Sequence, residues 1–137
     1  MARDGGLVSN LNIWENLTLQ LAYHSTLRRA DLAEAGLAVL KRVGYDGSLS
    51  VLPGRLTLYQ RRQICLARAM LAEPELMIYQ SSVDGLTSDE AASFLHVARE
   101  YHQQGIDRTA LFLTSYPEPL KGFGFDFTYT TGGSTPS

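Results

Sequence analysis

Residues 76–114 read LMIYQSSVDGLTSDEAASFLHVAREYHQQGIDRTALFLT. The apolar run Leu76-Met77-Ile78-Tyr79 has the length and composition of a buried strand. After a loop containing serine and glycine, Thr87 with Glu90 three residues later forms a capping box, which starts a helix that ends near Gly105. On a 3.6-residue period Ala91, Phe94, Leu95, Ala98 and Tyr101 share one face of that helix. A second apolar run, Thr109 to Thr114, follows. Strand, helix and strand in this order predict a right-handed βαβ unit and a parallel sheet, so the fold class is α/β.

Working back toward the N-terminus, Thr57 and Gln60 make a second capping box. Ile64, Ala67, Arg68 and Leu71 continue a helical stripe that Glu73-Pro74 interrupts. A further helix is predicted from Asp31 to Val43, with Leu32, Val39, Leu40 and Val43 on one side and Gly44 placed to end it. Asp46 to Gly54 reads as loop. Asn12 and Glu15 cap a first helix over Ile13 to His24, along which Ile13, Leu17 and Leu21 recur. Downstream, Phe125 to Thr130 alternates as a last strand would, and residues 132–137 read as a frayed polar tail. Three strands are few to cover four helices, since parallel strands are normally covered on both faces. The chain therefore reads as part of a larger design.

The sequence has 137 residues, 45% of them hydrophobic, enough to bury a core in one globular domain. Twelve basic and 14 acidic side chains leave a net charge of −2 with scattered arginines, so a nucleic-acid partner is not expected. Cys65, the single cysteine, lies in an apolar helical run and reads as a small buried hydrophobe. No apolar stretch reaches the roughly 18 residues of a membrane span, and the N-terminus lacks a signal-peptide core, so the expectation is a cytoplasmic protein without membrane insertion. His24, His96 and His102 do not share a metal-ligand spacing with carboxylates and read as surface residues. Ser81 and Ser82 read as loop, and Arg61-Arg62 as a solvated helix face or the salt-bridging side of an interface.

The run Leu56-Thr57-Leu58-Tyr59-Gln60-Arg61-Arg62-Gln63, continuing through Leu66-Ala67-Arg68-Ala69-Met70 to Glu73-Pro74-Glu75-Leu76, resembles the signature helix and Walker B strand of ABC-transporter ATPase domains. Residues 5–17 are similar to the segment after that family's Q-loop, and Asp84-Gly85-Leu86-Thr87 stands where its D-loop belongs. The Asn-Ile-Trp-Glu-Asn-Leu segment is most similar to ATPase subunits of Mla/MCE-type lipid transporters. The resemblance covers Arg3 to about Tyr129 and implies the later part of a P-loop NTPase-like domain, with the Walker A half missing. On this reading residues 1–131 form one truncated domain. Residues 7–71 are its helical subdomain, residues 72–131 its βαβ part, and residues 132–137 a flexible tail. The only lysines, Lys41 and Lys121, do not sit in a phosphate-binding glycine loop.

The resemblance also implies which groups should do chemistry, and this sequence departs at each. Phosphoryl transfer depends on positioning and charge neutralisation. Tyr79 stands for the Walker B aspartate, and a neutral phenol is a poor Mg²⁺ ligand beside a carboxylate. Gln80 stands for the catalytic glutamate, and an amide cannot accept a proton from water. Ser115 replaces the switch histidine and Arg3 the Q-loop glutamine. In the signature Thr57-Leu58-Tyr59-Gln60, Leu58 and Tyr59 replace glycines that allow a backbone close to phosphate. No catalytic residue, cofactor or metal is therefore expected, and the implied protein is a pseudo-ATPase.

Its expected role is a non-catalytic binding module. Leu11, Ile13, Trp14 and Leu17 would contact a transporter membrane subunit or an intact ATPase subunit, because the family's helical subdomain receives the membrane subunit's coupling helix. Two alternatives stand beside it: a structural homodimer that makes good the thin sheet, and a truncated ATP-binding protein.

Overall fold

A computed structural model describes residues 6–24 and 29–130. Helix α1 spans Ile13–His24 and α2 spans Arg29–Val43. A 3-10 turn at Pro53–Arg55 leads into α3, Leu58–Leu71. Strand β1 is Leu76–Gln80, α4 is Ser88–Gln104 and β2 is Thr109–Leu113, after which a 3-10 turn forms at Glu118–Leu120.

Three capping boxes set the helix starts. Thr57 Oγ1 accepts from the Gln60 amide at 3.1 Å while Gln60 Oε1 accepts from the Thr57 amide at 2.9 Å. Thr87 and Glu90 repeat the exchange at 3.2 and 3.0 Å, and Asn12 and Glu15 at 2.7 and 3.1 Å. Each satisfies amides that a helix start otherwise leaves orphaned, a contribution of about 1 kcal/mol. Asn16 adds a constraint without a local sequence signature. Its buried amide bonds both backbone groups of Val8 and the carbonyl of Leu11, pinning the preceding loop to α1.

The helical part packs α2 along α3 and α1 against both, with Ile13, Leu17, Leu40, Val43, Ile64 and Met70 buried between them. β1 and β2 pair in parallel in the register Leu76↔Thr109 to Gln80↔Leu113. Along β1 burial alternates, so that Met77 and Tyr79 point into the core while Leu76, Ile78 and Gln80 face outward. From α4, Ala91, Phe94, Ala98 and Tyr101 are buried, and Leu95 is half-buried beside them. The architecture is α/β, with a two-stranded parallel sheet among the described residues.

Four expectations change. Phe125 to Thr130 is not a strand. Phe125 is instead held by its ring, edge-on to Phe112 at 5.3 Å and stacked on Phe123 at 4.8 Å, so aromatic packing replaces the ladder its alternation suggested. Arg62 is not a solvated residue but 2% exposed. His102 is half-buried rather than superficial, because it lies on the same side of α4 as Tyr101 and Ala98. The fourth is the paired reading of Ile13 and Leu17 as contact residues, since both are core. Residues 132–137 lie outside the described residues.

Candidate functional site

The C-terminal end of β1 is where the implied chemistry would sit. Tyr79 is fully buried. Its ring stacks on Phe112, its partner in the parallel register, with centroids 4.3 Å apart and planes 5° from parallel, and meets Phe94 edge-on at 6.2 Å. Its hydroxyl is 2.9 Å from His102 Nε2. Burial, with a smaller contribution from neighbouring Tyr101, pushes the Tyr79 phenol far above its ordinary value, so it is neutral throughout the range in which the protein is studied. A buried, uncharged, hydrogen-bonded phenol offers nothing to a cation.

His102 is displaced in the other sense. Burial first, then the positive charge of Arg108, holds its imidazole below the usual histidine value. Arg108 itself lies over the Tyr101 ring at 4.0 Å and donates to the Tyr101 carbonyl at 2.8 Å. Because folding lowers the His102 pKa, the unfolded chain binds more protons once pH falls below the unfolded value near 6.5. Stability is therefore expected to be full above neutrality and to decline as pH falls from there through the folded pKa. Urea midpoints measured from pH 7.5 to 5 should show the decline. Its slope should lessen in His102→Gln, and an unchanged slope would remove His102 as the cause.

Gln80, next along the chain, is exposed. Ser81 turns the backbone with φ +49° while its amide donates to the Leu113 carbonyl at 2.8 Å. The turn carries the chain over the start of α3, where buried Arg62 donates to the Ser81 carbonyl at 3.0 Å, to Asp84 at 3.2 Å and to Ser82. Gly85 has φ +80° and lies so close to α3 that a Cβ there would be 2.9 Å from Leu58 Cδ2. Leu58 thus packs against the loop.

The other expected positions are dispersed. Thr57 and Gln60 are engaged in the α3 cap. Tyr59 lines an open cleft of about 520 Å³ with Arg42, Gln63 and His96, between α2, α3 and α4. Ser115 is exposed beyond β2, and Arg3 lies outside the described residues. Among the described residues no group of three or more His, Cys, Asp or Glu side chains could hold a metal ion, and no helix is long and apolar enough to cross a membrane.

Of the expected contact residues, Ile13 and Leu17 are 0% and 1% exposed, so a docking partner cannot reach them. Leu11 and Trp14 are half-buried. The six-membered ring of Trp14 packs against α2 at Gly36, where a Cβ would come within 2.6 Å of the indole. The apolar residues that do face outward nearby are Leu37, next to Gly36, and Leu52, next to Val51, whose carbonyl receives the Ile13 amide. Helical periodicity placed Ile13 and Leu17 on one face correctly, but only the packing of α2 and α3 shows which way that face points.

This arrangement of helices over a parallel βαβ unit is the fold of part of an ABC-transporter ATPase domain. It superposes with a TM-score of 0.75 and 18% identity on an ATP-binding cassette solved as a dimer in a post-hydrolysis state with ADP and phosphate, over 90% of this chain and 53% of that one. Among curated proteins, the chain is 25% identical over 112 residues to a probable ribonucleotide transport ATP-binding protein, mkl, of Mycobacterium leprae, covering 82% of this chain and 32% of the relative. It is also 25% identical over 114 residues to the lipoprotein-releasing system ATP-binding protein LolD of Psychrobacter arcticus, covering 83% of this chain and 50% of the relative. No family model matches. The chain spans about a third to a half of the length of these curated relatives.

Proposed function

We propose that this ABC-ATPase-like chain is catalytically inactive and serves as a binding module, docking on a transporter membrane subunit or an intact ATPase subunit at the inner face of a membrane. The observation that carries the first half is Tyr79, which occupies the position expected of the Mg²⁺-binding carboxylate. Buried between Phe94 and Phe112 and bonded to His102, it presents no anionic group at that position to anchor the metal. Gln80 and Ser115 supply neither a general base nor an imidazole at the other two positions.

Support for a docking role is the helical part, which keeps its core and capping without the catalytic groups. Its contact surface is half-buried Leu11 and Trp14, with Leu37 and Leu52 in place of Ile13 and Leu17. Aromatic residues at the edge of a packed surface are frequent interface anchors.

The test is the thermal midpoint with and without millimolar Mg-ATP, because a ligand that binds only the native state raises it. No shift is expected. A saturable rise accompanied by release of inorganic phosphate would end the inactive reading, and a rise without phosphate release would replace it with regulatory nucleotide binding.

A further inference from the structure

We propose that Asp46-Gly47 is a site of spontaneous isoaspartate formation, and that the fold protects Asp84-Gly85 from the same change. The sequence holds a third such pair, Asp4-Gly5, which lies outside the described residues. In an Asp-Gly pair the glycine amide nitrogen can attack Cγ of the protonated aspartic acid before it, because glycine has no side chain to hinder the approach. The N–Cγ bond forms, the Cγ–OH bond breaks, and the hydroxyl leaves with the amide proton as water, giving a succinimide ring. Water then adds to one of the two ring carbonyls. Opening at Cγ restores aspartate, whereas opening at the α-carbonyl routes the backbone through Cγ and leaves isoaspartate at unchanged mass. The reaction needs only two consecutive residues and water.

Ring closure requires the Asp-Gly peptide to rotate until its nitrogen faces the side chain, so whatever holds that peptide decides the rate. The Asp84-Gly85 peptide is held. Its carbonyl accepts from buried Arg62 at 3.2 Å, the Asp84 amide donates to the Ser81 carbonyl at 3.2 Å, and Gly85 lies against Leu58. Asp84 Oδ1 is itself buried. Asp46, by contrast, is exposed in the loop after α2, and among the described residues neither its carbonyl nor the Gly47 amide takes part in a hydrogen bond. Opening at Asp84 must break a hydrogen bond to a charged group, which lowers the population of reactive conformers there at least about tenfold.

Isoaspartate at position 46 adds one methylene to the backbone inside a short span, which Tyr45 closes by donating from its hydroxyl to the Ser48 carbonyl at 2.7 Å. The same loop runs on to Leu49 and Val51, whose carbonyls receive the Trp14 and Ile13 amides at 3.1 Å, so the start of α1 is coupled to the modified site.

The test is to incubate the folded chain for weeks at physiological temperature and mildly acid pH, digest it, and map methyl acceptance with an isoaspartate-specific methyltransferase. Isoaspartate at position 46 is expected to exceed that at position 84 at least about tenfold. In strong urea the two positions should convert alike. Asp46→Glu, which would have to close a larger ring, should abolish the signal at 46, and Arg62→Lys, which loosens the grip on the Asp84 carbonyl, should raise it at 84. Equal conversion in the folded chain, or none at 46, would overturn the proposal. A preference for 46 that persists in urea would overturn it equally, since local sequence and not the fold would then make the choice.

Discussion

Tyr79→Asp, the substitution that would put a carboxylate at the position of the expected metal ligand, should unfold the chain rather than create an Mg²⁺ site. Removing a fully buried aromatic ring costs about 3–5 kcal/mol. A carboxylate left among Phe94, Phe112 and Met77 adds a desolvation cost of several kcal/mol, or else takes up a proton and loses the charge for which it was introduced. The sum is comparable with the entire stability of a typical domain, about 5–15 kcal/mol. Two neighbours calibrate the result. Tyr79→Phe keeps the stack and loses the bond to His102 Nε2, for an expected cost of about 1–2 kcal/mol. Gln80→Glu, at an exposed position, should change stability by no more than about 0.5 kcal/mol. Urea denaturation followed by circular dichroism reads all three. A folded Tyr79→Asp protein whose midpoint rises with Mg²⁺ would show that the site can still be rebuilt, and would remove the main support for an inactive chain.

The contrast between positions 79 and 80 also explains how much could be read from the sequence. Element positions were legible wherever a local signal specified them. The Asn12, Thr57 and Thr87 caps predict helix starts that match, and the apolar runs at Leu76 and Thr109 predict both strands and their parallel pairing. Phe125 to Thr130 had the alternation of a strand, but alternation specifies which side chains could share a face and not whether a backbone partner lies alongside. The chemical replacement of a carboxylate by Tyr79 was equally legible. Its burial under Phe112 and its bond to His102 were not, because both depend on the register between strands and on a helix 23 residues away in sequence. The same limit applies to Ile13, Leu17 and Arg62: periodicity finds a face, and tertiary packing decides what covers it.

Arg62→Leu should lower stability by about 3–5 kcal/mol, the range for breaking a buried charged network. Arg62 is 2% exposed, and its guanidinium reaches three carbonyls in the loop that follows β1, those of Ser81, Ser82 and Asp84. Hydrogen bonds to a charged group contribute roughly 1.5–3 kcal/mol each, and leucine would leave those carbonyls without the fork that satisfies them. Lysine retains the charge but not the planar geometry, so Arg62→Lys should lose less than Arg62→Leu while still falling short of the parent chain. The location of the loss matters more than its size. Ser81 is held at φ +49°, a backbone conformation that costs a non-glycine residue of order 1 kcal/mol or more, and the arginine acts on that same turn. Hydrogen exchange in the Leu variant should therefore accelerate first at the amides of residues 81–86, ahead of those in α3 and α4. If exchange accelerated uniformly, the arginine would be one core contact among many. A local effect would mean that the chain fixes this loop with its own side chain.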